Sequence, residues 1–460
     1  YMKELVRIEE IKINGIKNVC HGKISFNEYS NILKGNFHDL KSVLGIYGQN
    51  GSGKTTVLEV TKLLKNILIG NKLPDYFDKF INNECENAEI SYTFFINSMA
   101  SKQLVTYTFL IGLIDEKYQI YSEKIVSKEY SETENKWKPQ VTLIECTNQE
   151  IVLKKLANKI SKDSLIELRV AQDIEKGTSF IFHKRNNKIL LEQLTNTIRN
   201  DDQRLIDVLR LLPLYAETSL IIIENDVMGS INLNTYVPIN LYLSKNDSLK
   251  MGEIAVNLLK PNEMPMEVFK DLEIVIKQID IVLNAIIPSI RLEITNQKKQ
   301  FLKNGEDGIN FEIVSIRNNK LIPLKYESEG IKRLISVISS MIAAFNNYSI
   351  CLMIDEFDSG IFEYLLGELV EIIDESAKGQ FVFTSHNLRA LEKLSYKSII
   401  VTTANTNNRY IQLTGIKSNN NVRDYYYTNI LLGGQCEPIY EETKNFKIKR
   451  AFRKAGSFNE

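Results

Sequence analysis

The stretch GQNGSGKT, Gly48 to Thr55, decides the fold. It fits the spacing G-x-x-x-x-G-K-[ST]. The apolar run Val43–Tyr47 precedes it, and the following Lys54 to Leu68 carries Val57, Leu58, Thr61, Leu64 and Ile67 at helical spacing. Strand, glycine-rich turn and helix in that order predict a loop whose main-chain N–H groups face phosphate oxygens. Gly48, Gly51 and Gly53 let the backbone turn where a side chain would collide. Lys54 supplies a point charge for the β- and γ-phosphates, Thr55 offers a hydroxyl to Mg²⁺, and the helix N-terminus adds a favourable dipole. Asn50, Ser52 and Thr56 belong to the same binding surface. The ligands this implies are ATP and Mg²⁺.

Three further stretches point to the same chemistry. In SICLMIDEFDSG the apolar residues Cys351–Ile354 lead into Asp355 and Glu356 at a strand's carboxyl end, where open α/β sheets bind their ligands. Asp355 is the expected Mg²⁺ ligand, and Glu356 the carboxylate that polarises an attacking water. Ser328-Glu329-Gly330-Ile331-Lys332-Arg333 opens a helix. Its Ser and Gly either cap that helix or present N–H and hydroxyl groups to a phosphate, and Lys332 and Arg333 either add charge there or are solvated. In FTSHN, His386 follows the apolar Phe381–Phe383 and faces the same site.

Around these motifs the pattern alternates in character. Ile8–Phe26 and Ala88–Ile144 show period-two apolar residues and predict antiparallel strands. Residues 151–214 and 247–287 read as mainly helical, and INFEIVSI to LIPLKYES returns to strands. Helix Gly330–Phe345, strand Ser349–Ile354, helix Phe362–Ser376 and strand Gln380–Thr384 then predict a parallel sheet covered on both faces. The chain has 460 residues, with 57 Lys+Arg against 57 Asp+Glu. Zero net charge removes the argument for nucleic-acid binding from a globally basic protein but leaves a local basic groove open. The five cysteines, Cys20, Cys85, Cys146, Cys351 and Cys436, form no CxxC and no zinc-finger spacing. Apolar runs such as Leu211–Ala216 and Leu220–Ile223 are too short to span a bilayer, so a cytoplasmic protein without a membrane segment is expected.

The order of these motifs resembles that of ABC-type ATPase heads: P-loop, Ser-x-Gly signature, hydrophobic Asp-Glu strand, a loop with Asp358, then His386. IKINGIKNVCHGKISF, residues 11–26, resembles the N-terminus of the RecF and structural-maintenance-of-chromosomes branch. ESEGIKRL and NVRDYYYTNILLGG, with Gly434 and Pro438 beyond, resemble segments of bacterial AAA-family ATPases from abortive-infection and anti-phage operons. The resemblance covers about residues 1–145 and 290–400. There are departures. Ser328-Glu329-Gly330 lacks the double glycine of a transporter signature, and Ile361-Phe362 stand where defence-type ATPases often carry His-Pro. Gln103, Gln140 and Gln149 all compete for the Q-loop position.

The resemblance implies an α/β fold: a P-loop ABC-type head with a mixed or antiparallel β subdomain and a mainly helical insertion. It divides the chain into an N-terminal lobe (1–145), the insertion (146–290) and a C-terminal lobe (291–460). It implies an ATPase switch with Glu356 and His386 as catalytic residues, paired head to tail in an ATP sandwich or a higher oligomer, with Ser328 and Gly330 of one copy completing the partner's site. It implies a sensor of anti-phage defence with a separately encoded nuclease or toxin, docked on the insertion or the C-terminal tail. The alternative is a RecF-like or chromosome-maintenance ATPase that binds DNA. A fused Toprim nuclease is disfavoured, because only 460 − 386 = 74 residues follow His386.

Overall fold

The computed structural model describes residues 4–26, 29–34, 43–74, 77–147, 151–152, 177–195, 200–245, 248–414, 421–432, 435–440 and 444–456. The first part of the chain runs β1 (Leu5–Ile16), β2 (Val19–Ser25), α1 (Tyr29–Leu33), β3 (Val43–Tyr47), α2 (Lys54–Leu68), β4 (Asn87–Asn97), β5 (Lys102–Ile114), β6 (Lys117–Ser131), β7 (Lys136–Trp137), β8 (Val141–Thr147) and β9 (Ile151–Val152). The middle carries α3 (Lys184–Thr195), α4 (Asn200–Thr218), β10 (Leu220–Ile223), α5 (Asp226–Asn232), β11 (Tyr236–Lys245), β12 (Ser248–Asn257), β13 (Asn262–Pro265) and α6 (Met266–Ile286). The last part runs β14 (Arg291–Phe301), β15 (Asp307–Arg317), β16 (Lys320–Pro323), α7 (Glu329–Asn346), β17 (Cys351–Ile354), α8 (Glu363–Ser376), β18 (Gln380–Thr384), α9 (Arg389–Lys393), β19 (Ile399–Thr402), β20 (Tyr410–Gln412), α10 (Val422–Leu432) and α11 (Asn445–Gly456).

The central sheet has the order β10-β17-β18-β3-β19-β20, parallel except for the β19–β20 pair. β3 (VLGIY), β17 (CLMI) and the Phe381–Phe383 middle of β18 are apolar and buried because both faces are covered. Leu44, Ile46, Cys351, Met353 and Val382 enter one core, with α2, α4 and the antiparallel sheet. Val43, Tyr47, Leu352, Ile354, Phe381 and Phe383 enter the other, with α6, α7 and α8. Burial on both faces removes the alternation that a half-exposed strand would show. The second large sheet, β2-β1-β4-β5-β6-β8-β9, is antiparallel, as its period-two pattern predicts. This is the expected class: an α/β P-loop head with an antiparallel β subdomain and added helices.

The segment before residue 290 differs from the sequence reading in three places, the first being Ile151–Val152, which form β9 beside β8 within a stretch read as helical. Residues 247–287, expected to be mainly helical, contain β12 and β13, and their helix begins only at Met266. Leu249, Met251, Ile254 and Val256 find cross-strand partners on β11, a long-range pairing that outweighs the local helical tendency. Leu220–Ile223, read only as a short apolar run, is the edge strand of the central sheet beside β17. The helical reading of 151–214 holds for α3 and α4, while 153–176 and 196–199 lie outside the described residues. Sheet β13-β15-β14 also joins residues on both sides of the expected boundary at 290.

Two buried polar side chains lock the sheets together. Gln380 acts as a strand partner for β1: its Oε1 accepts the Ile8 N–H (2.9 Å) and its Nε2 donates to the Ile8 carbonyl (2.7 Å). Arg7, fully buried, donates to the carbonyls of Tyr348 (2.7 Å) and Lys378 (3.0 Å). Gln380→Ala would leave both Ile8 backbone groups buried without those partners. It should cost about 2–4 kcal/mol, read as a lowered urea midpoint with unchanged slope.

Candidate active site

The P-loop is held in shape by residues far away in sequence. Gly48 has φ +150°, and a Cβ there would meet Thr402 Oγ1 at 1.7 Å. Ser52 turns inward, donating to the Gln49 carbonyl (2.6 Å) and hydrogen-bonding Thr402 (2.5 Å), and Thr56 is buried on the inner side of α2. Tyr410 donates to the Gly53 carbonyl (2.7 Å), Asn18 donates to the Gly51 carbonyl, and Arg409 holds the Asn18 carbonyl (2.6 Å). Asn50 and Gly51 stay exposed at the tip, with nothing within 4 Å of a Cβ built on Gly51. The exposed tip is thus the part of the loop open to a ligand.

Lys54 is 6% exposed and donates to the carbonyls of Gly48 and Gln49, both at 2.9 Å. Burial pulls its ammonium below the ordinary lysine range, while the carboxylates of Asp355, Glu356 and Asp358 pull the other way. Asp355 sits at the carboxyl end of β17. The strand between β17 and the P-loop strand is β18, and its last residue, Thr384, fills the gap. Thr384 Oγ1 donates to Asp355 Oδ1 (2.5 Å) and accepts the Glu356 N–H (2.8 Å). Thr55 donates to the same Asp355 oxygen at 3.3 Å. The Thr55 hydroxyl and the Asp355 carboxylate are hard oxygen donors side by side, the donor type Mg²⁺ takes beside substrate phosphates. The residues fit that ion.

Glu356 has φ +45°, a left-handed backbone that a non-glycine residue adopts only under constraint. That turn sends its carboxylate towards β10, where Asn225 Nδ2 donates to Glu356 Oε2 (2.5 Å). Asp358 Oδ2 accepts the N–H groups of His386 (3.1 Å) and Asn387 (3.0 Å), and the His386 side chain is exposed. A cavity of about 400 Å³ opens beside these groups, with Thr55, Asp355, Glu59, Glu224, Asn225 and Asp226 on its walls.

The Ser328 segment behaves as a cap and as a brace. Ser328 caps α7, its Oγ accepting the Ile331 N–H at 3.4 Å. Gly330 packs on the backbone of Gly360, where a Cβ would meet the Gly360 carbonyl at 2.1 Å. Neither Lys332 nor Arg333 is solvated: they are 2% and 0% exposed. Lys332 bonds Asn234 and the Lys325 carbonyl (3.1 Å). Arg333 donates to the main-chain carbonyl of Asp355 at 3.2 Å, and its Nε and Nη1 have no partner among the described residues. Burial lowers the Arg333 guanidinium to about 10, opposed by the nearby Asp355 and Glu356 carboxylates, so it stays charged at neutral pH.

Two residues of this site escaped the sequence reading, Thr384 and Asn225, while Arg333 was singled out there but its bond to the Asp355 main chain was not. Thr384 is the second residue of FTSHN, a hydroxyl at the strand's end. Asn225 follows an apolar strand, as Asp355 does, but nothing local ties it to Glu356. Among the Q-loop candidates, Gln103 is fully buried between β5 and β6, accepting from Ser127 (2.7 Å) and donating to the Arg204 carbonyl (3.3 Å). Gln140 is exposed, and Gln149 and Gly434 lie outside the described residues.

Residues 43–392, from the P-loop strand to α9, match the family described as "AAA domain, putative AbiEii toxin, Type IV TA system". The chain belongs to this family. It therefore carries a P-loop AAA domain. No curated protein matches it. Among solved structures it is similar to an Smc head domain with an extended coiled coil bound to the C-terminal domain of ScpA, from Pyrococcus furiosus. That match has 14% identity and a TM-score of 0.39, over 89% of this chain and 96% of that one. It is also similar to the SMC head domain from Thermotoga maritima, at 13% identity and a TM-score of 0.35, over 89% and 100%. The ATP complex of the recombination mediator RecF gives 14% and 0.32, over 83% and 94%. Likenesses this distant bear on no functional question.

Thr384→Val keeps the shape and removes the hydroxyl that orients Asp355. It should leave Mg²⁺-free nucleotide binding unchanged and weaken the Mg²⁺-dependent gain in affinity about 10–100-fold, measured by calorimetry with and without the ion.

Proposed function

We propose that the protein binds and hydrolyses ATP as the switch subunit of a bacterial anti-phage defence system, working with a separately encoded nuclease or toxin. The observation that supports hydrolysis is the convergence of Lys54, Thr55, Asp355, Glu356 and Thr384 at the carboxyl ends of three adjacent parallel strands. The exposed P-loop tip binds phosphate through main-chain N–H groups. Lys54 leaves the Gly48 and Gln49 carbonyls to neutralise charge on the β- and γ-phosphates. Thr55 and Asp355 would hold Mg²⁺, which would supply positive charge against the phosphate oxygens. Glu356, aimed by Asn225 and the Thr384 hydrogen bond, orients the attacking water. His386, held over Asp358 by its backbone, reaches the γ-phosphate side.

The defence role rests on family membership together with the Ser328 and tail segments that resemble defence ATPases. A DNA-binding repair ATPase remains the second reading, separated by whether duplex DNA stimulates hydrolysis. The site is completed in trans: Ser328 and Gly330 at the start of α7 meet the γ-phosphate bound by a second copy, where the helix N-terminus stabilises an anion. Arg333 carries that contact back to the main chain of Asp355 in its own site.

Lys54→Ala should abolish tight ATP binding in calorimetry; unchanged affinity would refute the phosphate assignment. Glu356→Gln should keep binding and slow hydrolysis into an ATP-trapped state, and a wild-type rate would remove Glu356 from catalysis. Mixing Lys54→Ala with Ser328→Arg should restore part of the ATPase rate, because one composite site in each mixed dimer carries neither lesion. Mixed dimers with no recovered activity would overturn the shared site.

A further inference from the structure

Two apolar surfaces left open among the described residues match each other. The first is a cavity of about 580 Å³ between α6, α7 and α8, walled by Ile281, Ala285, Ile338, Met341, Leu369 and Ile372, among others. Ile281 is 71% exposed and Ile372 52% exposed, so these side chains face water. The second is α11, NFKIKRAFRKAG, in which no residue is buried. Ile448, Ala451, Phe452 and Ala455 stand at i, i+3, i+4 and i+7 and so form one apolar stripe, with Phe452 75% exposed. Such spacing is what a helix uses to lie in an apolar groove.

Charge makes the match specific. Helix α8, one wall of the groove, carries Glu363, Glu368, Asp374 and Glu375, with Glu371 already paired with Lys393 (2.6 Å), and no Lys or Arg. Glu368 is on the groove wall itself. Helix α11 carries Lys447, Lys449, Arg450, Arg453 and Lys454 and no acidic residue. Across the groove, Lys277 of α6 is already paired with Glu273 (3.2 Å). An acidic wall beside an apolar floor recognises a basic amphipathic helix.

We propose that the groove between α6, α7 and α8 receives helix α11 of a second copy of this chain. Every residue of the chain's own α11 is exposed, so its apolar stripe does not fill the groove of the same chain. Each copy carries one groove and one helix, which allows a two-fold, self-complementary exchange. This contact needs no nucleotide and is separate from the pairing across the ATP site.

The test is a cross-link between two full-length copies, each with the exposed Cys436 replaced by Ser. One carries Phe452→Cys and the other Ile281→Cys, both at exposed positions. Mixed without nucleotide and oxidised, they should give a disulfide-linked heterodimer, and placing both copies in the Lys54→Ala background should not change the yield. That arm separates this contact from the ATPase reading. Adding Glu368→Lys to the Ile281→Cys copy should lose most of the product. No cross-link would overturn the proposal. So would closure only within a single chain bearing both cysteines, since the helix would then fill its own groove. Protection of α11 from trypsin only when duplex DNA or anionic phosphatidylserine vesicles are added would assign its basic face elsewhere and likewise overturn it.

Discussion

The carboxylate of Asp355, held by one hydroxyl from the P-loop helix and one from the end of β18, is the contact on which the site depends. Thr55 reaches it from the start of the P-loop helix and Thr384 from the end of β18. The carboxylate is 3% exposed, and a charge so buried is tolerable only with donors in place. Thr384 also accepts the N–H of Glu356, so a single hydroxyl fixes both acidic residues. Strand order explains why the task falls to Thr384: β18 lies between the strands that carry Asp355 and the P-loop.

The surrounding frame keeps this geometry from relaxing. Gln380, at the other end of the same β18, bonds both backbone groups of Ile8 and joins the antiparallel sheet to the parallel one. Asn18, Thr402 and Tyr410 hold the P-loop from the β1–β2 turn, β19 and β20. Within the antiparallel sheet, Glu123 is fully buried yet receives Tyr107, Ser179 and the N–H groups of Phe180 and Ile181. Burial raises its pKa and those donors lower it, so one side chain fastens the 179–181 turn to β6. Each lock is a buried polar group whose loss would leave its partners without water or protein to bond.

Helix α7 connects the chemistry to the outer surface. Its first turn packs Gly330 on Gly360 and its second places Arg333 against the Asp355 carbonyl. Its last turns, Ile338 to Asn346, floor the apolar groove beside the acidic α8. One helix thus runs from the acidic site to the apolar groove.

The sequence by itself determined the elements whose signals are local. Gly48–Thr55 needs glycines at set positions, Cys351–Glu356 is an apolar run ending in acids, and Ser328 caps a helix three residues before its accepted N–H. The two sheets were also readable, since period-two alternation and continuous apolar runs report directly on one-sided and two-sided burial. What only the tertiary structure decided is which residues meet across long separations. Leu220–Ile223 is four apolar residues in sequence and becomes an edge strand only because β17 lies open beside it. Asn225 and Glu356 are 131 positions apart, and no periodicity relates them. Lys332 and Arg333 look like ordinary surface charges on a helix and are buried because Asn234, Lys325 and the Asp355 carbonyl converge on them. Local chemistry is written in neighbouring residues, whereas burial and pairing belong to the packed chain and appear only when it closes on itself.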